Sequence, residues 1–195
     1  MSTVSIALIP EKDSNICQGD VFQNVKYCYI DMDGTDTVEV VEFTFPMAII
    51  VSQACDVNYM GAMVKEQKGK ATKFMPSILM CPIYDVEIAK KTQHVTEAFS
   101  TLAIEKTDGE KDVLFRSEEF KVAEFDWHYR YHALTVNKGA TTILDNSMID
   151  FKHYFTVPAS YLMKNRDNRI FRLDSLFAEQ ITLKFATYLS RVAIP

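Results

Sequence analysis

Phe45-Pro46-Met47-Ala48-Ile49-Ile50-Val51-Ser52-Gln53-Ala54-Cys55-Asp56-Val57 decides the reading of the fold. An apolar run that stops abruptly at Ser-Gln-Ala-Cys-Asp reads as a strand buried on both faces, since a half-exposed strand would alternate. Such a strand delivers Ser52, Gln53, Cys55 and Asp56 to its C-terminal end, where sheets and small barrels tend to keep binding groups.

Upstream, Ile16-Cys17-Gln18-Gly19-Asp20-Val21-Phe22 sets a Gly-Asp corner before an apolar strand that runs to Tyr29. Asp31-Met32-Asp33-Gly34-Thr35-Asp36 is dense in turn formers and closes a hairpin. In the return strand, 37–45, Val41, Phe43 and Phe45 alternate with Glu42 and Thr44, the pattern of a half-buried antiparallel strand. Pro46 has no N–H and is expected to break the ladder before the buried strand 47–52. Residues 1–15 read as an arm in which Val4, Ile6 and Leu8 suit one short strand.

Downstream, 58–73 is polar, with Gly61, Gly69 and a basic cluster of Lys65, Lys68 and Lys70, and reads as an inserted loop. Its Gly69-Lys70-Ala71 lacks the first glycine and the Ser or Thr of a phosphate loop. Ser77 to Tyr84 is a second apolar strand, and helical spacing from an Asp85 cap predicts a helix over 86–104. Residues 115–123 suit a short amphipathic helix or a strand equally. In 127–135, Trp127, Tyr129 and Tyr131 alternate with His128, Arg130 and His132, which reads as a strand. Turns follow at Lys138-Gly139 and at Asp145-Asn146, then a strand over 147–157 that Pro158 ends. Paired as a hairpin, these strands place Arg130, His132, Asp150 and Lys152 on one surface. After the basic loop 164–169, a terminal helix over 175–191, capped by Asp174 or Ser175, packs an apolar stripe along the sheet.

The 195 residues fit one domain with a real core, organised as the arm 1–15, a sheet or barrel over 16–157 and the terminal helix. The net charge of −5 argues against nonspecific nucleic-acid binding by the whole chain. It is uneven, however: 1–125 holds 12 basic and 20 acidic side chains, whereas 126–173 holds 7 basic and 4 acidic. A polyanion would therefore use the later segment. Cys17, Cys28, Cys55 and Cys81 have no CxxC spacing, sit in or beside apolar runs and read as small buried thiols in a reducing compartment. Without a basic leader or a run of about 20 apolar residues, a cytoplasmic protein with no membrane contact is expected.

Four groupings carry candidate chemistry. Cys55 with Asp56 would make a nucleophile beside a carboxylate, although that carboxylate opposes thiolate formation and a structural thiol is the simpler reading. His128 and His132 would lie about 13 Å apart along a strand, too far for one ion, so neither a metal nor a cofactor is expected. Asp150-Phe151-Lys152 matches the Asp-x-Lys tail of nuclease sites that hold Mg²⁺, and equally an ordinary exposed ion pair. Arg130, His132 and Lys152 with Lys164, Arg166 and Arg169, interleaved with Tyr129, Tyr131 and Tyr154, would bind the phosphates and bases of RNA or a nucleotide.

The succession of Gly19-Asp20-Val21-Phe22, Phe45-Pro46 opening an apolar strand, and Ile78 to Ile83 with Pro82 near its end resembles the order of elements in MazF/PemK-type toxins. The resemblance covers residues 16–85. It implies a small SH3-like barrel, usually dimeric, that cleaves RNA in a toxin–antitoxin setting. The family's catalytic Arg before the proline is Phe45 here, and Ile83-Tyr84 stands where its Thr or Ser is expected, so the barrel is implied more than the ribonuclease. The ending Ser52 to Asp56 is also similar to that of uncharacterised bacterial and phage-associated proteins.

The expectation is an α+β chain with a strongly bent, mainly antiparallel sheet or small SH3-like barrel, a middle helix and a C-terminal helix. Its function would be binding of RNA or a nucleotide through the 126–172 surface, in a toxin or phage-defence context and with a homodimer in view. The alternatives are a regulatory module with a protein partner, and a hydrolase using Asp150 and Lys152 or Cys55.

Overall fold

The computed structural model describes residues 4–11, 14–32, 38–57, 75–86 and 129–191. They form an α+β fold around one strongly bent, mostly antiparallel eight-stranded sheet. The strands are β1 (Val4–Leu8), β2 (Asp20–Met32), β3 (Val38–Ile50), β4 (Ser77–Asp85), β5 (Tyr131–Lys138), β6 (Thr141–Asp150), β7 (Phe155–Pro158) and β8 (Arg169–Leu173). The helices are α1 (Ala159–Lys164), a 3-10 turn over Arg166–Asn168 and α2 (Ser175–Leu189). The expected loop 58–73, the helix 86–104 beyond Val86, the segment 115–123, Trp127 and His128 lie outside the described residues.

The strand order is β3-β2-β8-β1-β5-β6-β4, and β4 pairs again with β3, so the ladder returns to its starting strand. One side of β4 carries two partners in succession, β7 along Ser77–Met80 and β6 along Ile83–Asp85. Between them fall Cys81 and Pro82, where a residue lacking an N–H removes no ladder bond on that side. The arm strand β1 runs parallel to β5 and antiparallel to β8, and so knits the beginning of the chain to its end.

The opening stretch is buried on both faces, as its continuous apolar run implies. Ala48 and Ile50 face a cluster with Phe22, Phe45, Met80, Phe155 and Leu162, whereas Ile49 and Val51 face a second with Ile83, Leu134, Phe151, Phe171 and Ile181. Alternation thus survives, but both directions lead into core. Packing of Phe45 on Phe155, with ring centroids 4.3 Å apart, centres the first cluster. Helix α2 supplies Ala178, Ile181 and Phe185 to the second, and the Asp174 carboxylate caps it by accepting from the Leu176 N–H at 3.1 Å.

Several expectations change. Pro46 does not interrupt β3, which continues from Val38 to Ile50. Its position lies between the pairs Val25↔Phe45 and Gln23↔Met47, opposite Asn24 at φ 52°, so the ladder skips one step without ending. Asp145 and Asn146 lie inside β6 instead of forming a turn. Asn146 adopts φ 46°, its N–H donates to Asp145 Oδ1, and the β5–β6 register shifts alongside, so these turn formers mark an irregularity in a strand. The strand expected over 147–157 is two strands, β6 and β7, separated by 151–154. Helix α1 and strand β8 went unanticipated, being short segments whose periodicity is too brief to register.

Candidate functional site

At the end of β3, Ser52 Oγ accepts the Leu79 N–H at 2.8 Å, extending by a side chain the ladder that Val51 N–H makes with Leu79 O at 3.0 Å. The Gln53 carbonyl then receives the N–H groups of Asp56 and Val57, and the described residues 54–57 are helical. Ser52 is therefore a structural terminator of the strand. Gln53, Cys55 and Asp56 are exposed, with the Cys55 Sγ 3.7 Å from Asp56 Oδ1 and 3.9 Å from Gln53 Oε1. Both neighbours are acceptors, and no cation stands among these contacts of the thiol.

The expectation of four buried cysteines holds only for Cys81. Cys17 is half-buried, and Cys28 and Cys55 are exposed, because β2 points Cys28 away from the ring stack of Tyr27, Tyr29 and Phe43. Burial, with the Asp150 charge adding, pushes the Cys81 thiol well up; burial also raises Cys17 despite Arg172 nearby.

The surface expected from the β5–β6 hairpin is half realised. Tyr131 pairs with Asp150 across the ladder, which brings Arg130 onto the same carboxylate. Arg130 Nε donates to Oδ1 at 2.9 Å and Nη2 to Oδ2 at 2.7 Å, the Lys152 backbone N–H donates to Oδ1 at 2.9 Å, and His153 Nδ1 stands 2.7 Å from Oδ2. Burial alone would raise the Asp150 carboxyl; Arg130 and His153 outweigh it and hold the group well below the usual carboxylate range. Burial and the same carboxylate drive the Tyr84 and Tyr131 phenols far above their ordinary value.

This geometry decides what the cluster can do. A carboxylate surrounded by four nitrogens has its acceptor directions taken and offers none to Mg²⁺. Arg130, bound in a fork and lying 4.6 Å from the Tyr131 ring centroid, is committed to the interior. Lys152 contributes its backbone, and its side chain is exposed. His132 directs Nδ1 toward Lys184 Nζ at 3.4 Å. Among the described residues no group of three or more His, Cys, Asp or Glu is arranged to hold a metal ion, and no helix is long and apolar enough to cross a membrane.

The basic loop has a different construction. Strand β8 sends Arg169 and Arg172 to Asp20, whose carboxylate is 0% exposed at the Gly-Asp corner. Arg172 binds it at 2.6 and 3.0 Å, Arg169 at 3.2 Å, and the Cys17 N–H at 2.8 Å. Arg169 also donates to Glu11 O, Ser14 Oγ and Asn15 O at 2.8, 2.9 and 3.0 Å. Beside this network lies an open cavity of about 400 Å³, lined by Pro10, Arg166, Asp167 and Arg169. Arg166 forms one wall, and its buried Nε has no hydrogen-bond partner. Lys164, exposed in the last turn of α1, stands two residues away in sequence.

Asp20, Arg172 and His153 escaped the sequence reading. For Asp20 the signal was present, a carboxylate inside an otherwise apolar corner, but its partners lie some 150 residues further on. Neither a protein-family model, nor a curated protein, nor a solved structure matches this chain.

Proposed function

We propose that the protein binds a phosphate-bearing ligand, a nucleotide or the end of an RNA strand, at the cavity beside the 164–169 loop. The observation that carries this reading is Arg166 on the wall of a concave cavity, with a buried Nε that has no hydrogen-bond partner. That Nε is closed to solvent, so a phosphate in the cavity would take its charge-assisted bonds from the outer guanidinium nitrogens. Lys164 extends the positive potential outward, while the Arg169 charge is balanced by Asp20 and the Asp167 carboxyl also lines the cavity. This narrows the 126–172 surface to its later part, because Arg130 is already bound to Asp150. The closed strand circuit would serve as a small barrel carrying the loop, and the four free thiols suit a reducing, cytoplasmic setting.

Titration calorimetry with AMP, inorganic pyrophosphate and a short single-stranded RNA tests the reading. Binding that weakens with salt and drops at least about tenfold in Arg166→Gln is expected, the scale of one hydrogen bond to a charged group. Binding equal in parent and variant, or absent from the parent, overturns it.

A further inference from the structure

The cavity is shared by two distant parts of the chain: Pro10 belongs to the connection between β1 and β2, whereas Arg166, Asp167 and Arg169 follow α1. We infer that ligand binding here is coupled to docking of that connection, with Arg169 as the positioning residue. The inference rests on the function proposed above and goes beyond it by assigning the site a conformational consequence.

The described residues of the connection, 9–11 and 14–19, belong to no strand or helix. Their order comes from elsewhere. One local turn is closed by Ser14 N–H to Glu11 O at 3.0 Å. The Ile16 side chain is buried in the core with Phe22 and Phe45. At its β2 end the connection is tied by Cys17 N–H to Asp20 Oδ2 at 2.8 Å and Gly19 N–H to Ile50 O at 3.0 Å, whereas over Glu11–Asn15 guanidinium bonds hold it: Arg169 to Glu11 O, Ser14 Oγ and Asn15 O, and Arg172 to Asn15 O at 2.6 Å. A single side chain, Arg169, thus holds the connection and lines the cavity. Its side chain is only 2% exposed, and Asp20 balances its charge from the interior.

Undocking the connection would take Pro10 from the wall and release Arg169 from the carbonyls that fix it. The complete cavity then exists only in the docked state. A ligand that binds one state of an equilibrium and not the other stabilises that state by mass action. Backbone segments held by few contacts open locally at small free energy, so the effect falls on these residues before the sheet. Arg169→Lys keeps the charge and loses the planar fork that reaches several carbonyls together.

Hydrogen–deuterium exchange on the full chain, with AMP or pyrophosphate as the probe, tests the coupling. At ten times Kd, linkage predicts about tenfold slower exchange at the Ser14 and Cys17 amides, with the β5–β6 hairpin unchanged as control. Arg166→Gln should lose both binding and protection. Arg169→Lys should exchange faster at those amides without ligand and bind more weakly, while its β5–β6 hairpin still exchanges as in the parent. Binding without protection, or Arg169→Lys matching the parent in both, overturns the coupling and leaves the binding reading standing. Absence of binding by the parent overturns both.

Discussion

Arg130 meets Asp150 in a two-bond fork, Nε to Oδ1 at 2.9 Å and Nη2 to Oδ2 at 2.7 Å, on a carboxylate with no exposed surface. Removing one partner strands the other charge inside the protein. Arg130→Ala and Asp150→Ala should therefore each lose about 3–5 kcal/mol in denaturant unfolding. The double variant should lose clearly less than the sum, because the second substitution removes the stranded charge. Additive losses would show that the pair does not act as a unit.

The same fork sets an acid limit. The Asp150 carboxyl is held below its unfolded value, so its contribution is full above about pH 5 and is lost as pH falls toward the folded value. Stability of the parent should decline below about pH 5, and Asp150→Asn should remove up to about 1.4 kcal/mol per pH unit from that slope. Equal slopes in the two proteins below pH 4 would rule out a depressed Asp150.

Gly19 and Gly139 offer a controlled comparison. Both have positive φ, 80° and 60°, but a Cβ at Gly19 would meet the Ala178 Cβ at 2.7 Å whereas one at Gly139 meets nothing within 4 Å. Gly139→Ala should cost about 1 kcal/mol from backbone strain alone. Gly19→Ala should cost about 2–4 kcal/mol, since α2 must also shift. Thermal unfolding of the two variants checks the order.

Thiol chemistry follows exposure. Cys28 and Cys55 should react with an aromatic disulfide reagent in the native protein, Cys17 more slowly, and Cys81 only on unfolding. Mass spectrometry of the labelled peptides reads the order, and early labelling of Cys81 would contradict its place in the core.

Much of the sheet was legible in the sequence for one physical reason: hydrophobic period is a local property that each strand carries by itself. The unbroken run around Ile49 announced a strand buried on both faces, the alternation of Val41, Phe43 and Phe45 its hairpin partner, and the stripe after Asp174 a capped helix. Local chemistry misled where tertiary partners outweighed it. Pro46 and Asn146 carry breaker signals, yet the strands continue because Asn24 and the shifted β5–β6 register absorb the irregularity. The site was less legible still. Counting charges singled out the basic segment, but which arginines face inward depends on carboxylates far away in sequence. Only the folded chain brings Asp20 to Arg169 and Arg172, and Asp150 to Arg130, leaving the Arg166 Nε without a partner. The sequence alone determined most of the strands and the terminal helix. Tertiary structure decided the rest, because whether a charge is a ligand group or an internal counter-ion is set by its neighbours in space.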